Sequence, residues 1–154
     1  MTGSTNTDVK YVPPSAEQLR NARSLVSRFA ERWSQPTADD LRELMHADTR
    51  NLIPPMTVPA DREGVVEHFR QVLNQLPDLK VEVLQWAPTG DAVLVEWRAS
   101  AKVAGEALEW QGVDRFNIRG DRMYQGQVYW DTRRVAEQVA DAVRRASERG
   151  AAAS

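Results

Sequence analysis

An aspartate set in an apolar row is the residue of this chain with the most to offer chemically. Between positions 108 and 118, Leu108, Trp110, Gly112, Asp114, Phe116 and Ile118 alternate with Glu109, Gln111, Arg115 and Asn117. That is the period of an extended strand with one inward face, Val113 being the exception. Burying an unpaired charge is expensive, so Asp114 must be paired, hydrogen-bonded or held neutral. Held neutral between Trp110 and Phe116, it would be an acid or base working near neutral pH. Tied to an arginine or to backbone amides, it would be structural, and the residues alone leave both readings open. His46 and His68 are the two histidines. They do not stand at metal-ligand spacing, so no metal site is expected. His46 follows a short helix and is a candidate proton partner for Asp114, against the alternative of a surface or capping residue. His68 adjoins the inward Phe69 and reads as a surface residue. There is no Gly-x-Ser-x-Gly elbow, phosphate loop or dinucleotide fingerprint, and no cofactor is expected.

The strand carrying Asp114 is the middle of three. Asp91 to Val103 precedes it after a Gly90-Asp91 turn, and Met123 to Asp131 follows it after Gly120-Asp121. Strand formers bounded by Gly- and Asp-containing turns predict an antiparallel meander. Upstream, Ser15 with Gln18 forms a capping-box pattern opening a helix from about Ala16 to Trp33. Its stripe is Leu19, Ala22, Val26, Phe29, Ala30 and Trp33. Thr37 caps a second, short helix through Met45, and His46 to Pro55 is a short extended segment at a sheet edge or in a loop. Pro54 to Pro59 is a stiff apolar loop suited to a pocket rim. A third helix from Asp61 turns Val65, Val66, Phe69, Val72, Leu73 and Leu76 inward, and Leu79 to Trp86 alternates as a further strand. A last helix, capped by Asp131 or Thr132, runs to about Arg149, and the tail from Gly150 is expected to fray. Residues 1–14 read as a disordered arm.

This order gives an α+β fold in which a long helix lies in a strongly curved antiparallel sheet and leaves a cavity open at one end. A length of 154 residues suits one domain, and a net charge of −2 with interspersed signs gives no electrostatic case for nucleic acid or an anionic membrane. No apolar run approaches the roughly 20 residues of a membrane span, and no secretory signal opens the chain. A cytoplasmic location is the expectation. The absence of cysteine excludes disulfides and thiolate metal sites.

The element order, the Gly112-Val113-Asp114-Arg115-Phe116 strand, the Gly120-Asp121-Arg122-Met123 turn and the closing Tyr129-Trp130-Asp131 resemble the SnoaL-like branch of the nuclear transport factor 2-like superfamily. The resemblance covers roughly residues 15–132, leaving 133–154 as an added helix and tail. It implies a cone-shaped α+β fold that in other members hosts polyketide cyclases, steroid isomerases and limonene-type epoxide hydrolases. Asp114 falls where the isomerases keep a protonated, oxyanion-donating aspartate and where the cyclases place an acid/base. The remaining catalytic positions of those enzymes fall at residues without the chemistry: Pro54 and Phe29 for the isomerases, Lys102 or Val103 for the cyclases, and Ala99, Trp97 and Val128 for the hydrolases.

On the same resemblance Trp97, Trp110, Trp130, Ala99 and Ala101 face the cavity, with Phe29 and Trp33 on the opposite wall. They would either hold a small hydrophobic molecule or fill the cone as core. The outward row with Arg115, Asn117, Gln127 and Tyr129 would form a homodimer or face solvent. Two functions follow as expectations. One is a cofactor-independent acid/base enzyme, of isomerase, cyclase or related lyase or hydrolase type, acting on a small hydrophobic carbonyl or polycyclic compound. The other is a non-catalytic binding module for a hydrophobic ligand or a protein.

Overall fold

The computed structural model describes residues 11–153. Its elements are α1 (Ala16–Ser34), α2 (Ala38–Arg42), β1 (Met45–Leu52), α3 (Arg62–Gln75), β2 (Lys80–Thr89), β3 (Ala92–Val103), β4 (Glu106–Arg119), β5 (Arg122–Trp130) and α4 (Thr132–Ala152). The fold is α+β, with helices on one five-stranded sheet ordered β1-β5-β4-β3-β2. The expected meander forms β2 to β5, antiparallel throughout. The segment read as short and extended becomes the eight-residue β1, which adds to β5 in parallel, so the sheet is mixed. Met45 accordingly opens this strand instead of closing α2, which stops at Arg42.

Register shifts at Val83/Gln85, Asn117/Ile118 and Met45/Arg50 interrupt the ladders, and such irregularities bend a sheet and increase its twist. Tight turns join the long strands. Val103 pairs with Glu106 across Ala104-Gly105, where φ values of 51° and 83° give the left-handed pair that a two-residue hairpin requires. Pro88 lies inside β2, which is tolerated because β2 is an edge strand.

α1 fills the concave side of the sheet. Its capping box is complete: Gln18 N–H donates to Ser15 Oγ at 3.1 Å and Ser15 N–H donates to Gln18 Oε1 at 2.8 Å. Ala22, Leu25, Val26, Phe29 and Trp33 form its buried stripe, against Val93, Val95, Trp97, Ala99 and Phe116 of the sheet. Phe29 meets Phe116 at a ring separation of 5.5 Å, and Trp33 meets Phe69 of α3 edge-on at 5.0 Å.

Of the arm expected over 1–14, positions 1–10 lie outside the described residues. The part that follows is attached: the Val12 carbonyl accepts the Gly90 N–H at 2.7 Å and the Thr89 hydroxyl at 3.3 Å. α4 continues to Ala152, past the Gly150 at which the tail was expected to begin. α4 begins at the Asp131 cap and lies across the end of β3 and β4. Ala142 is fully buried there, and Arg145 forks the Glu106 carboxylate through Nε at 2.9 Å and Nη2 at 2.8 Å. Arg149 adds a further donor at 3.3 Å, and with Arg145 it holds Glu106 down at about 2, well below the usual carboxylate range. Among the described residues no helix is long and apolar enough to cross a membrane.

Candidate functional site

A hollow of about 270 Å³ lies between the concave sheet, α1, α3 and α4. Its volume is near the lower end of ordinary small-molecule sites, roughly 300–1,000 Å³. Phe29 and Trp33 come from α1, Trp97 and Ala99 from β3, Trp110 and Asp114 from β4, and Trp130 from the end of β5. Pro54 and Pro55 contribute from the loop after β1, and Val135 and Val139 from α4. A second chamber of about 50 Å³ lies deeper, lined by Phe29, Asn51, Asp114, Phe116 and Met123 among others. That is room enough for a water molecule. Asp114 borders both spaces.

The position of Asp114 follows from strand geometry. It pairs with Val95 in the β3–β4 ladder, two residues from the Trp97–Gly112 pair on the same face. Gly112 has no side chain, and the Trp97 ring occupies the space a Cβ there would need. The indole can therefore cross the strand and donate Nε1–H to Asp114 Oδ1 at 2.8 Å. This is the sole hydrogen bond of the carboxyl among the described residues, and no guanidinium or ammonium pairs with it. Asp114 is 6 % exposed, and burial pushes it up to about 7, while the Trp97 hydrogen bond acts in the opposite sense. The structural alternative, a carboxylate tied to an arginine, is therefore not the arrangement found.

Asn51 is the other polar side chain of the inner chamber. It is 4 % exposed, its Nδ2 donates to Thr49 Oγ1 at 3.0 Å, and its Oδ1 occupies the space above Gly126. Sequence reading missed it because β1 was read as a mere extended segment. The signal was the alternation Thr49, Asn51 in a run that starts at Met45.

The histidines exchange places relative to expectation. His46 stands second in β1, and its Nε2 lies against the Arg119 carbonyl at the far end of β4. Arg119 is five residues along the strand from Asp114, roughly 16 Å at an extended rise. The structure does not bring His46 together with Asp114, because β1 runs parallel to β5 from the Met45–Met123 pair and so holds the ring beside the β4–β5 turn. His68, read as a surface residue, is half-buried and lines the hollow. Its ring packs on Phe69 at 5.1 Å, and burial lowers its basicity below the usual imidazole value. It lies four residues before Val72, on the stripe that Val72 and Leu76 had already marked, so helical spacing contained the signal.

Phe29, Trp33, Trp97, Ala99, Trp110 and Trp130 all line the larger hollow, and Phe116 lines the inner chamber. Ala101 is buried on the same face without lining either. The contribution of α4 had no signal beyond its narrow apolar stripe. Among the described residues no three His, Cys, Asp or Glu side chains converge so as to hold a metal ion.

A family model described as a SnoaL-like domain matches residues 26–125. α4 lies wholly outside that segment. No curated protein sequence matches the chain. Solved structures match widely. A candidate SnoaL-like polyketide cyclase from Jannaschia sp. CCS1 shares 18% identity over 80% of this chain and 94% of its own, with a TM-score of 0.68. IdmH, a candidate polyketide cyclase from Streptomyces antibioticus, shares 20% over 71% and 91%, with a TM-score of 0.65. TerC, co-crystallised with polyporic acid, shares 15% over 81% and 99%, also at 0.65. Identities this low establish the shared fold.

Proposed function

Because the chain belongs to the SnoaL-like domain family, we propose that its cone binds a small hydrophobic carbonyl or polycyclic compound and moves a proton on it without a cofactor. One observation carries this reading: a carboxyl that titrates at about 7 stands in the wall of an apolar hollow and takes a single hydrogen bond. Such a group is half-protonated at neutral pH and serves as acid or base with little loss to either state. Trp97 fixes its orientation, and the surrounding indoles and Ala99 offer flat apolar surface with space beside it. TerC, of the same fold, has been co-crystallised with polyporic acid, which supports a molecule of modest size as the ligand class.

The test is an Asp114→Asn variant. Retained affinity for a hydrophobic ligand with turnover lost supports the reading. Native mass spectrometry of the purified protein identifies a retained ligand to begin from. Turnover unaffected by Asp114→Asn overturns it. Binding by the wild type with no turnover favours the binding-module reading, to which the preponderance of apolar lining also points.

We further propose that the outer sheet face joins two copies. Leu94 is 40 % exposed and Tyr129 54 % exposed, and Val113 stands beside Tyr129 in the ladder. Light scattering that gives a monomer at micromolar concentration overturns this.

A further inference from the structure

We infer that His68 is the second proton-handling group of the hollow, a base that faces the same bound molecule from α3 while Asp114 faces it from β4. The inference rests on the acid/base reading of Asp114 and extends it to a pair. Of the described residues lining the larger hollow, Asp114 and His68 are the only two with titratable side chains. They belong to different walls, Asp114 to the sheet and His68 to the third helix. A molecule that fills a space of about 270 Å³ touches both walls.

The imidazole is available for this work. Neither ring nitrogen has a hydrogen-bond partner among the described residues, and the ring stands edge-on to Phe69. Burial favours the neutral form, which accepts a proton. His68, Val72 and Gln75 follow one another at helical spacing and all line the hollow, so α3 presents a rim with an imidazole and an amide at its two ends.

The chemistry this pair fits is enolisation of a ketone. A His68 nitrogen takes a proton from the carbon next to the carbonyl, and the C–H electron pair becomes the enol C=C. The carbonyl π pair takes the Asp114 proton on oxygen. His68 is then imidazolium and Asp114 carboxylate. In the return step the imidazolium delivers its proton to the same or a conjugated carbon, and the enol O–H returns its proton to Asp114. Atoms and charge balance with no oxidant, reductant or cofactor. The substrate class follows: a cyclic ketone with an acidic C–H on the side away from the sheet.

The test uses 2-tetralone, a bicyclic ketone with acidic α-hydrogens, followed in D₂O by proton NMR. The full chain is expected to accelerate α-H/D exchange over buffer and to shift the His68 ring resonances as 2-tetralone binds. His68→Gln, a change to a good helix former at a half-buried site, is expected to lower exchange by about 100-fold or more while the Kd for 2-tetralone stays within about threefold. Asp114→Asn should lower exchange as well. Exchange lost in Asp114→Asn but kept in His68→Gln overturns the pair and leaves the Asp114 reading standing, as does an unshifted His68 ring with 2-tetralone bound. Wild-type protein that fails to bind 2-tetralone, or binds it without exchange above buffer, overturns both.

Discussion

The indole of Trp97 reaches over Gly112 to donate its N–H to Asp114 Oδ1 at 2.8 Å. A residue without a side chain, a large aromatic ring and a buried acid thus form one unit across β3 and β4. The single donor is too little to offset the loss of water around a carboxylate, and so the acid is held near half-protonation.

The pH dependence of stability follows directly. Unfolded, Asp114 titrates near 3.8, and folded at about 7. Its folded value is raised, so its contribution to stability is fully present below about pH 4 and is lost as pH rises through about 7. The total loss is about 4 kcal/mol for a shift of this size. Urea denaturation between pH 4 and 8 should show this decline in the wild type and its disappearance in Asp114→Asn. An equal pH slope in both proteins would contradict the assignment.

Removing the indole donor should move the acid further. In Trp97→Phe the hydrogen bond that lowers Asp114 is gone and the burial remains, so the carboxyl should titrate above its wild-type value. Stability at neutral pH should fall by about 1–3 kcal/mol through the lost partner. Gly112→Ala should act similarly from the other side, since its methyl meets the Trp97 ring and the Tyr129 carbonyl at 2.8 Å. Carboxyl ¹³C NMR against pH checks both variants, and a shift toward 4 in either would mean that water reaches Asp114.

Much of this arrangement was legible in the sequence, because it depends on strand parity. Alternation along 108–118 put Asp114 in the apolar row, and the family resemblance assigned the row of β3 with Trp97 and Ala99 to the same cavity. Parity does not report diagonal contacts, so the Trp97 donor was read as wall. Nor does it report where a strand begins. The parallel addition of β1 to β5 put His46 at the far end of β4 and brought Thr49 and Asn51 into the core. His68 was misread through its neighbour Phe69 when its relation to Val72 was the informative one. α4 as a wall of the hollow depends on docking between distant segments, which local periodicity does not encode.

The attachment of α4 should weaken in acid. Arg145 and Arg149 hold Glu106 down at about 2, so the stabilisation they share is present above about pH 4.5 and is lost as pH falls toward 2. Amide hydrogen exchange along α4 should accelerate over that interval ahead of the sheet, and should be raised already at neutral pH in Glu106→Gln. Salt should produce a smaller effect in the same direction. Equal protection of α4 in wild type and Glu106→Gln would show that Ala142 and its neighbours hold the helix without the ion pair.

The apolar side of α4 offers a way to close the hollow without touching the acid. Val139 lines it from a half-buried helical position, and Val135 stands one turn before. A Val139→Trp change adds an indole toward a space of about 270 Å³, where it can be accommodated without displacing packed core. The neutral fluorescent probe N-phenyl-1-naphthylamine should bind the wild type and bind Val139→Trp at least about 10-fold more weakly, since a filled site leaves no apolar area to bury. The melting temperature should move by only a few degrees, and the titration of Asp114 should remain raised because its Trp97 partner is untouched. Undiminished probe affinity in Val139→Trp would place the binding surface elsewhere and remove α4 from the wall of the site.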